Sequence, residues 1–287
     1  IDKGLREKNP ISVCIVGNAA TVAKGLLKRK RIPDIVTDQT PAHNLMEYIP
    51  EGKSYKWNLW YRDKDPEEYL ELSKATILKH ARALMAFQKE GAVVFDYGNQ
   101  LREQAEYYGL PIRKKDGTFI YPGFIEEYIR PLFCEGMGPF RWTVLSGLKK
   151  DLLTIDKALV NAFPKKHAIK RWIEKAQHQV NILGLPTRVC WLGYEERTKM
   201  GLIINQLVKS GKVAAPIAIG RDHVDCGSMA APSRETKNMI DGSDAVADWP
   251  LLNFSLNAVS GASWVSFHQG GGAGIGNSLH TGMVIVA

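Results

Sequence analysis

Gly220-Arg-Asp-His-Val-Asp-Cys-Gly-Ser228 sets an imidazole, carboxylates and a thiol directly after the apolar run Ala214–Gly220. A second apolar run, Ser263–Phe267, opens into Phe267-His-Gln-Gly-Gly-Gly-Ala-Gly-Ile-Gly276, with five glycines between Gly270 and Gly276. Asp222, His223 and Asp225 are residue types that transfer protons once a site tunes their pKa values. Together with Cys226 they also suit zinc. Against that, consecutive residues on an extended chain point to opposite sides, and no second ligand cluster such as H-E-x-x-H accompanies them. The glycines would leave bare backbone N–H groups to meet a ligand. The alternative for both stretches is an ordinary turn, although a packed core requires neither the glycines nor the Arg-Asp-His run. Short apolar runs bounded by Gly, Pro or polar residues fit buried strands, and the C-terminal strand ends of α/β sheets are where ligands bind. A ligand site is expected here.

Composition bounds what that ligand can be. The 287 residues and 32.0 kDa suit about two domains, each able to bury its own core. With 45% hydrophobic and 24% charged residues nothing indicates disorder. No apolar run approaches the roughly 20 residues of a membrane span. A net charge of +8 favours anionic ligands. The basic residues are spread along expected helices (Lys24, Lys28, Lys30; Lys165, Lys166, Lys170, Arg171) without interleaved aromatics, a pattern of solvated faces that argues against nucleic acid. Cys14, Cys134, Cys190 and Cys226 lie far apart with no C-x-x-C pair, which argues against a zinc ribbon or disulfide framework and suits free thiols in a reducing cytoplasm. The chain opens on Ile-Asp-Lys and stops in the apolar Met-Val-Ile-Val-Ala, so both ends are expected to be cut from something longer.

Strands are expected at Ile11–Val16, Asp34–Thr37 and Ala92–Phe95, separated by helices over Thr21–Arg29 and Pro66–Lys89. The second helix has a start signal in Asp65-Pro66-Glu67-Glu68 and apolar residues at helical spacing (Leu70, Leu72, Ile77, Ala81, Leu84, Ala86). This alternation predicts βαβ units and a parallel sheet. A basic turn, Arg113-Lys-Lys-Asp-Gly-Thr118, marks a boundary. Beyond it helices are expected over Phe124–Phe133, Lys150–Phe163, Ala168–Ile182 and Arg197–Ser210, and strands over Thr187–Leu192 and up to Gly220. A further helix begins near Trp249, where Pro250 sacrifices no hydrogen bond. The fold class is α/β, with a second α/β block after the boundary.

Three early loops share one sheet edge in this reading. Gly17-Asn18-Ala19-Ala20 opens a helix whose N–H groups favour a phosphate, or simply form a capped turn; it is neither G-x-G-x-x-G nor a Walker sequence. Gln39-Thr40-Pro41-Ala42-His43 offers an amide, a hydroxyl and an imidazole to a sugar or base, or is a plain polar loop. Asp96-Tyr97-Gly98-Asn99 is the third, and the shared placement favours a nucleotide site. Arg141, between Phe140 and Trp142, suits a bidentate substrate carboxylate or a surface cation–π pair. Cys190, in an apolar strand, reads on local grounds as an inert buried thiol. Asp241, Asp244 and Asp248 read as cap and loop carboxylates.

Taken together, these residues resemble the urocanase family, the urocanate hydratases of histidine degradation. Gly184-Leu-Pro-Thr-Arg-Val-Cys-Trp191 is similar to that family's F-Q-G-L-P-x-R-I-C-W segment, departing at Ile182-Leu183 and Val189. Gly220–Ser228, Arg234-Glu-Thr236, Asp241-Gly-Ser-Asp-Ala-Val-Ala-Asp-Trp-Pro-Leu-Leu252 and Gln269-Gly-Gly-Gly272 extend the resemblance over nearly the whole chain. It implies a tightly bound NAD acting as an electrophile: the nicotinamide forms an adduct with the imidazole of urocanate, water adds, and imidazolone propionate leaves. It also implies that the first block is a Rossmann-like parallel-sheet NAD-binding domain, present in part, over residues 1–122, inserted into a core, catalytic domain over residues 123–287. By motif, Asn18, Ala19, Gln39, Thr40, Pro41, Ala42, His43, Tyr48, Ile49 and Tyr97 would contact NAD, and Gly272 would line it from the core domain. Pro41 stands where the family commonly has Ser. Arg141 would hold the substrate carboxylate and Cys190 would sit in the active site. Asp222, His223 or Asp225 would transfer the proton. The resemblance further implies a homodimer; the residue readings above add a cytoplasmic location and no metal, nucleic-acid or membrane partner. The family's G-x-G-G-M-G-G segment is absent from these residues, so the chain is expected to be the middle and C-terminal portion of a longer enzyme. The alternative is a non-catalytic nucleotide-binding fragment.

Overall fold

The computed structural model describes residues 2–8, 11–129, 131–132, 135–220, 229–230, 248–269 and 279–287, and its contacts divide the chain into two units, Ile1–Gly123 and Phe124–Ala287. The first runs α1 (Asp2–Glu7), α2 (Ala19–Lys28), β1 (Ile35–Asp38), α3 (Tyr55–Lys64), α4 (Pro66–Lys89), β2 (Val93–Asp96) and α5 (Leu101–Tyr107). α4 starts where local chemistry directs it. Asp65 accepts the Glu68 N–H at 3.0 Å, Pro66 occupies the first turn where no donor is needed, and Glu67 and Glu68 face the positive helix end. Ile77, Ala81, Leu84 and Phe87 then bury against Val94, Leu101, Ala105, Ile112 and Tyr121. β1 and β2 pair in parallel, with Asp38 opposite Asp96. Val36, Val94 and both aspartates turn toward the core, whereas Ile35 and Val93 turn away from it.

One expectation for this unit needs correcting, and one helix is additional. Ile11–Val16 is not a strand: it has no ladder pairing among the described residues, and Ile11, Val13, Ile15 and Val16 are exposed. Apolar alternation makes a strand only where an adjacent edge can take up its backbone groups. α3 was not expected, because its apolar content is aromatic (Trp57, Trp60, Tyr61) rather than periodic; Ser54 starts it by accepting the Trp57 N–H at 3.2 Å. The basic turn Arg113–Thr118 lies shortly before the division at Gly123. Lys114 donates its N–H to the Thr118 carbonyl at 2.7 Å, and the Arg113 guanidinium lies 3.9 Å from the centre of the Phe119 ring.

The second unit opens with a π-helical turn, Ile125–Ile129, inside the segment expected as an α-helix over Phe124–Phe133. It continues through β3 (Gly138–Val144), α6 (Lys149–Ala162), α7 (His167–Gln179), β4 (Thr187–Leu192), α8 (Tyr194–Lys209), β5 (Ile217–Gly220), β6 (Met229–Ala230), α9 (Asp248–Val259), β7 (Trp264–Gln269) and β8 (Leu279–Val286). Its sheet is antiparallel throughout these strands, in the order β4-β3-β5-β8-β6, with β7 also on β8. β3 was not expected as a strand, since a proline argues against a central one. Pro139 is tolerated because it pairs with β4 only; β5 joins from Arg141 onward, so the missing N–H falls on the unpaired side. Phe140, Trp142, Cys190, Leu192, Ile217 and Ile219 face a core completed by Leu152, Ile155, Leu159, Met200 and Ile204 from the helices. Among the described residues no helix is long and apolar enough to cross a membrane.

β5 and β7 both pair antiparallel with Val284 of β8, so they flank it on opposite edges and run in the same direction. Their C-terminal ends therefore leave toward the same end of the sheet. They are staggered: Gly220 lies beside Val284 and Gln269 beside Leu279. At about 3.4 Å per residue the offset is about 17 Å along β8.

Candidate functional site

α2 builds the first half of the site. Asn18 caps it by accepting the Thr21 N–H at 3.0 Å, and its amide donates to the Ile49 carbonyl at 2.7 Å, which pins a distant loop against the helix start. The result is a cleft of about 370 Å³ lined by Val16, Gly17, Asn18, Ala19, Thr40, Pro41, Tyr48, Ile49, Lys53 and Tyr55. No acidic residue stands in the first turn of α2 and none lines the cleft, while Lys53 adds a positive charge. Unmet backbone N–H groups and a carboxylate-free lining fit the phosphate-bearing part of a dinucleotide. Both polar atoms of Asn18 make hydrogen bonds within the protein, so the residue holds the cleft together as well as lining it. Asn18→Ala is expected to cost about 1–3 kcal/mol of stability, measured by urea unfolding, through loss of the cap and of the loop tie. An unchanged midpoint would mean that neither bond matters.

Behind the Tyr48–Glu51 segment runs a polar stripe on α4 that supports it without lining the cleft. Tyr69, Ser73, Thr76 and His80 are all buried on one helix face. Tyr69 Oη and Ser73 Oγ donate to the Tyr48 carbonyl at 3.2 and 3.0 Å, and Thr76 Oγ1 accepts the Glu51 N–H at 3.1 Å. The opposite wall is held by Asp38, which accepts the Thr40 N–H at 3.2 Å, the Thr40 hydroxyl at 2.9 Å and the Asn99 amide at 2.5 Å. The Asn99 amide also donates to the Thr40 carbonyl at 2.8 Å. The α4 supports were missed in the sequence. Their signal was present, as four polar residues at helical spacing inside an otherwise apolar helix face.

Burial dominates the electrostatics of these strand ends. It pushes the Tyr48 phenol well above its ordinary value, with Asp38 and Glu51 adding to the shift. It lowers His80, against the opposing pull of the Asp38 carboxylate. Asp96, bonded to Arg102 Nε at 2.7 Å, is raised by burial despite that guanidinium.

Of the other residues expected to contact NAD, Ala42 is fully buried in the core and Gln39 is exposed beside the cleft. His43 is half-buried, its pKa lowered by burial, and its Nδ1 has no hydrogen-bond partner among the described residues. Tyr97 follows β2 and donates its N–H to the Asp38 carbonyl at 2.9 Å. Gly272 lies outside the described residues, as do Asp222, His223, Asp225 and Cys226.

In the second unit the register separates two expected site residues. Phe140 pairs with Cys190 and Arg141 with Val189, so Arg141 and Cys190 occupy opposite sheet faces. Cys190 is 4% exposed within the core, and its thiol is pushed up to about 12 by burial, with Asp156 and Glu196 adding and Lys166 opposing. Arg141 is exposed on the face turned away from that core and stands directly across the ladder from Gly220. In the sequence Gly220 is followed by Arg221–Cys226, which lies outside the described residues.

Comparison with known families agrees with this division of the chain. A model described as the Urocanase Rossmann-like domain matches residues 1–128, and one described as the Urocanase C-terminal domain matches residues 131–287. The first match carries the parallel pair, α2 and the cleft; the second carries the antiparallel sheet with Arg141 and Cys190 and spans more than half of the chain. The chain therefore belongs to the urocanase family.

Proposed function

We propose that this chain forms the NAD-binding and substrate-binding parts of a urocanate hydratase, a lyase that adds water to urocanate to give imidazolone propionate in histidine degradation. The observation that carries the proposal is Arg141 standing across from Gly220, the residue from which the sequence continues into Asp222, His223 and Asp225. A guanidinium suited to a carboxylate thus faces the strand end from which the sequence runs on into three residue types able to move a proton. NAD, when bound, supplies an electrophile without net redox. The protein's own part would be to hold it: the α2 N-terminus and Lys53 would meet its phosphates, and Thr40 and Ile49 would shape the cleft around them. Arg141 orients urocanate through its carboxylate, and one of Asp222, His223 and Asp225 delivers the proton. A cytoplasmic homodimer belongs to the same proposal; light scattering that returns the mass of one chain would remove the dimer.

The test is the loss of urocanate's ultraviolet absorbance on adding the purified protein, with and without extra NAD. Arg141→Ala is expected to lower kcat/KM about tenfold to a hundredfold, since one charge-assisted carboxylate contact contributes about 1.5–3 kcal/mol, while bound NAD is unchanged. NAD binding without any urocanate turnover would favour the other reading, a nucleotide-binding module without catalysis.

A further inference from the structure

Both walls of the cleft meet at one buried imidazole. His80 Nδ1 lies 3.0 Å from Tyr48 Oη, and His80 Nε2 faces Asp38 Oδ1 at 3.8 Å. Tyr48 belongs to one wall, whose carbonyl is already tied to α4 by Tyr69 and Ser73. Asp38 fixes the other, through the N–H and hydroxyl of Thr40. His80 itself does not line the cleft.

We infer that His80 is a positioning residue for the bound nucleotide, setting the spacing between the Thr40 wall and the Tyr48 wall without touching the ligand. The inference rests on reading the cleft as the NAD site. Its chemistry follows from the donor inventory. The buried Tyr48 phenol keeps its proton and donates it to Nδ1, which leaves the Nε2 proton turned toward the Asp38 carboxylate. One neutral imidazole thus accepts from the first wall and presents a donor to the second. A leucine at this position would fill the space, strand the Tyr48 hydroxyl without an acceptor and remove the donor facing Asp38. An asparagine would restore an acceptor close to the Nδ1 position.

The experiment is equilibrium dialysis of NAD against the unsubstituted protein, His80→Leu, His80→Asn, Tyr48→Phe and the double variant His80→Leu/Tyr48→Phe. His80→Leu and Tyr48→Phe are each expected to weaken binding about tenfold. The double variant is expected to be no weaker than the weaker single one, because the two residues act as a pair. His80→Asn is expected to stay within about threefold of the unsubstituted protein, a rescue that simple loss of core packing would not give. Unchanged binding in His80→Leu, or losses that multiply in the double variant, would overturn the inference and leave the cleft reading intact. Absence of NAD binding in the unsubstituted protein would overturn both. Should His80→Leu fail to fold, Tyr48→Phe and His80→Asn carry the test: a loss in the first with retention in the second supports the pairing, and the reverse pattern removes it.

Discussion

Arg188→Ala is expected to cost about 3–5 kcal/mol of folding stability, enough to unfold many domains of this size at ordinary temperatures. Arg188 and Asp156 are both buried, joined by Nη2 to Oδ2 at 2.8 Å and Nε to Oδ1 at 3.3 Å, and Gln177 Nε2 reaches the same carboxylate at 3.4 Å. The cluster therefore ties β4 to α6 and α7. Burial raises Asp156, while Arg188 holds it down. Removing Arg188 leaves the burial and deletes the opposing charge, so the carboxyl must either stay ionised without a partner or take up a proton. The second route gives the variant a distinctive pH dependence. A carboxyl whose folded pKa lies above its unfolded value contributes most below the unfolded value, near 3.9, and loses that contribution as pH rises through the folded one. Urea unfolding of Arg188→Ala should accordingly show a smaller deficit near pH 5 than near pH 8. Arg188→Met combined with Asp156→Leu should recover most of the loss, because it leaves no buried charge unpaired. A deficit below about 1 kcal/mol in Arg188→Ala alone would mean that this pair does not anchor β4.

How much of this was legible in the sequence differs element by element. Asp65-Pro66-Glu67-Glu68 and Lys89 bound α4 in the sequence and in the structure alike, because a side-chain cap, a first-turn proline and a matching dipole act locally. Thr187–Leu192 was equally readable as a strand from its apolar run, although its covered face includes Arg188 and could not be told from the sequence. β3 was not, since Pro139 and Arg141 signal against a central strand, and only the pairing register shows why both are tolerated. Ile11–Val16 fails for the complementary reason: a strand is a property of two segments, and its apolar alternation describes one. The site divides in the same way. Thr40, Pro41, Tyr48 and Ile49 are found together in the cleft, as a strand-end loop and its neighbouring segment would be. The Tyr69, Ser73, Thr76 and His80 stripe escaped because attention to apolar periodicity discards polar residues on the same face. That Arg141 and Cys190 face apart follows from register, which no spacing in either segment encodes.

In the folded protein Cys190 is expected to react with iodoacetamide at pH 8 about a thousandfold more slowly than an unfolded cysteine does. The thiolate is the reacting form, and a pKa pushed up to about 12 by burial leaves few thiolates at that pH. At an ordinary pKa near 8.5 about a quarter of the thiols are ionised at pH 8; at 12 about one in ten thousand is. Burial at 4% exposure slows reagent access further. Peptide mapping by mass spectrometry after a short labelling pulse, with and without guanidinium, separates Cys190 from Cys14, which is exposed and provides an internal comparison. The same protonation has a stability signature. A thiol whose folded pKa is raised contributes fully below the unfolded value, near 8.5, and loses about 1.4 kcal/mol per pH unit above it until the folded value is reached. Relative to Cys190→Ala, the unsubstituted protein should therefore lose stability faster as pH climbs from about 8.5. Slow labelling would fix the role of Cys190 as packing beneath β3, and the chemistry would then belong to the other face of the sheet, where Arg141 adjoins Gly220. Rapid labelling of the folded protein would mean that the thiol reaches solvent as a thiolate, and Cys190 would regain its claim to act on the substrate.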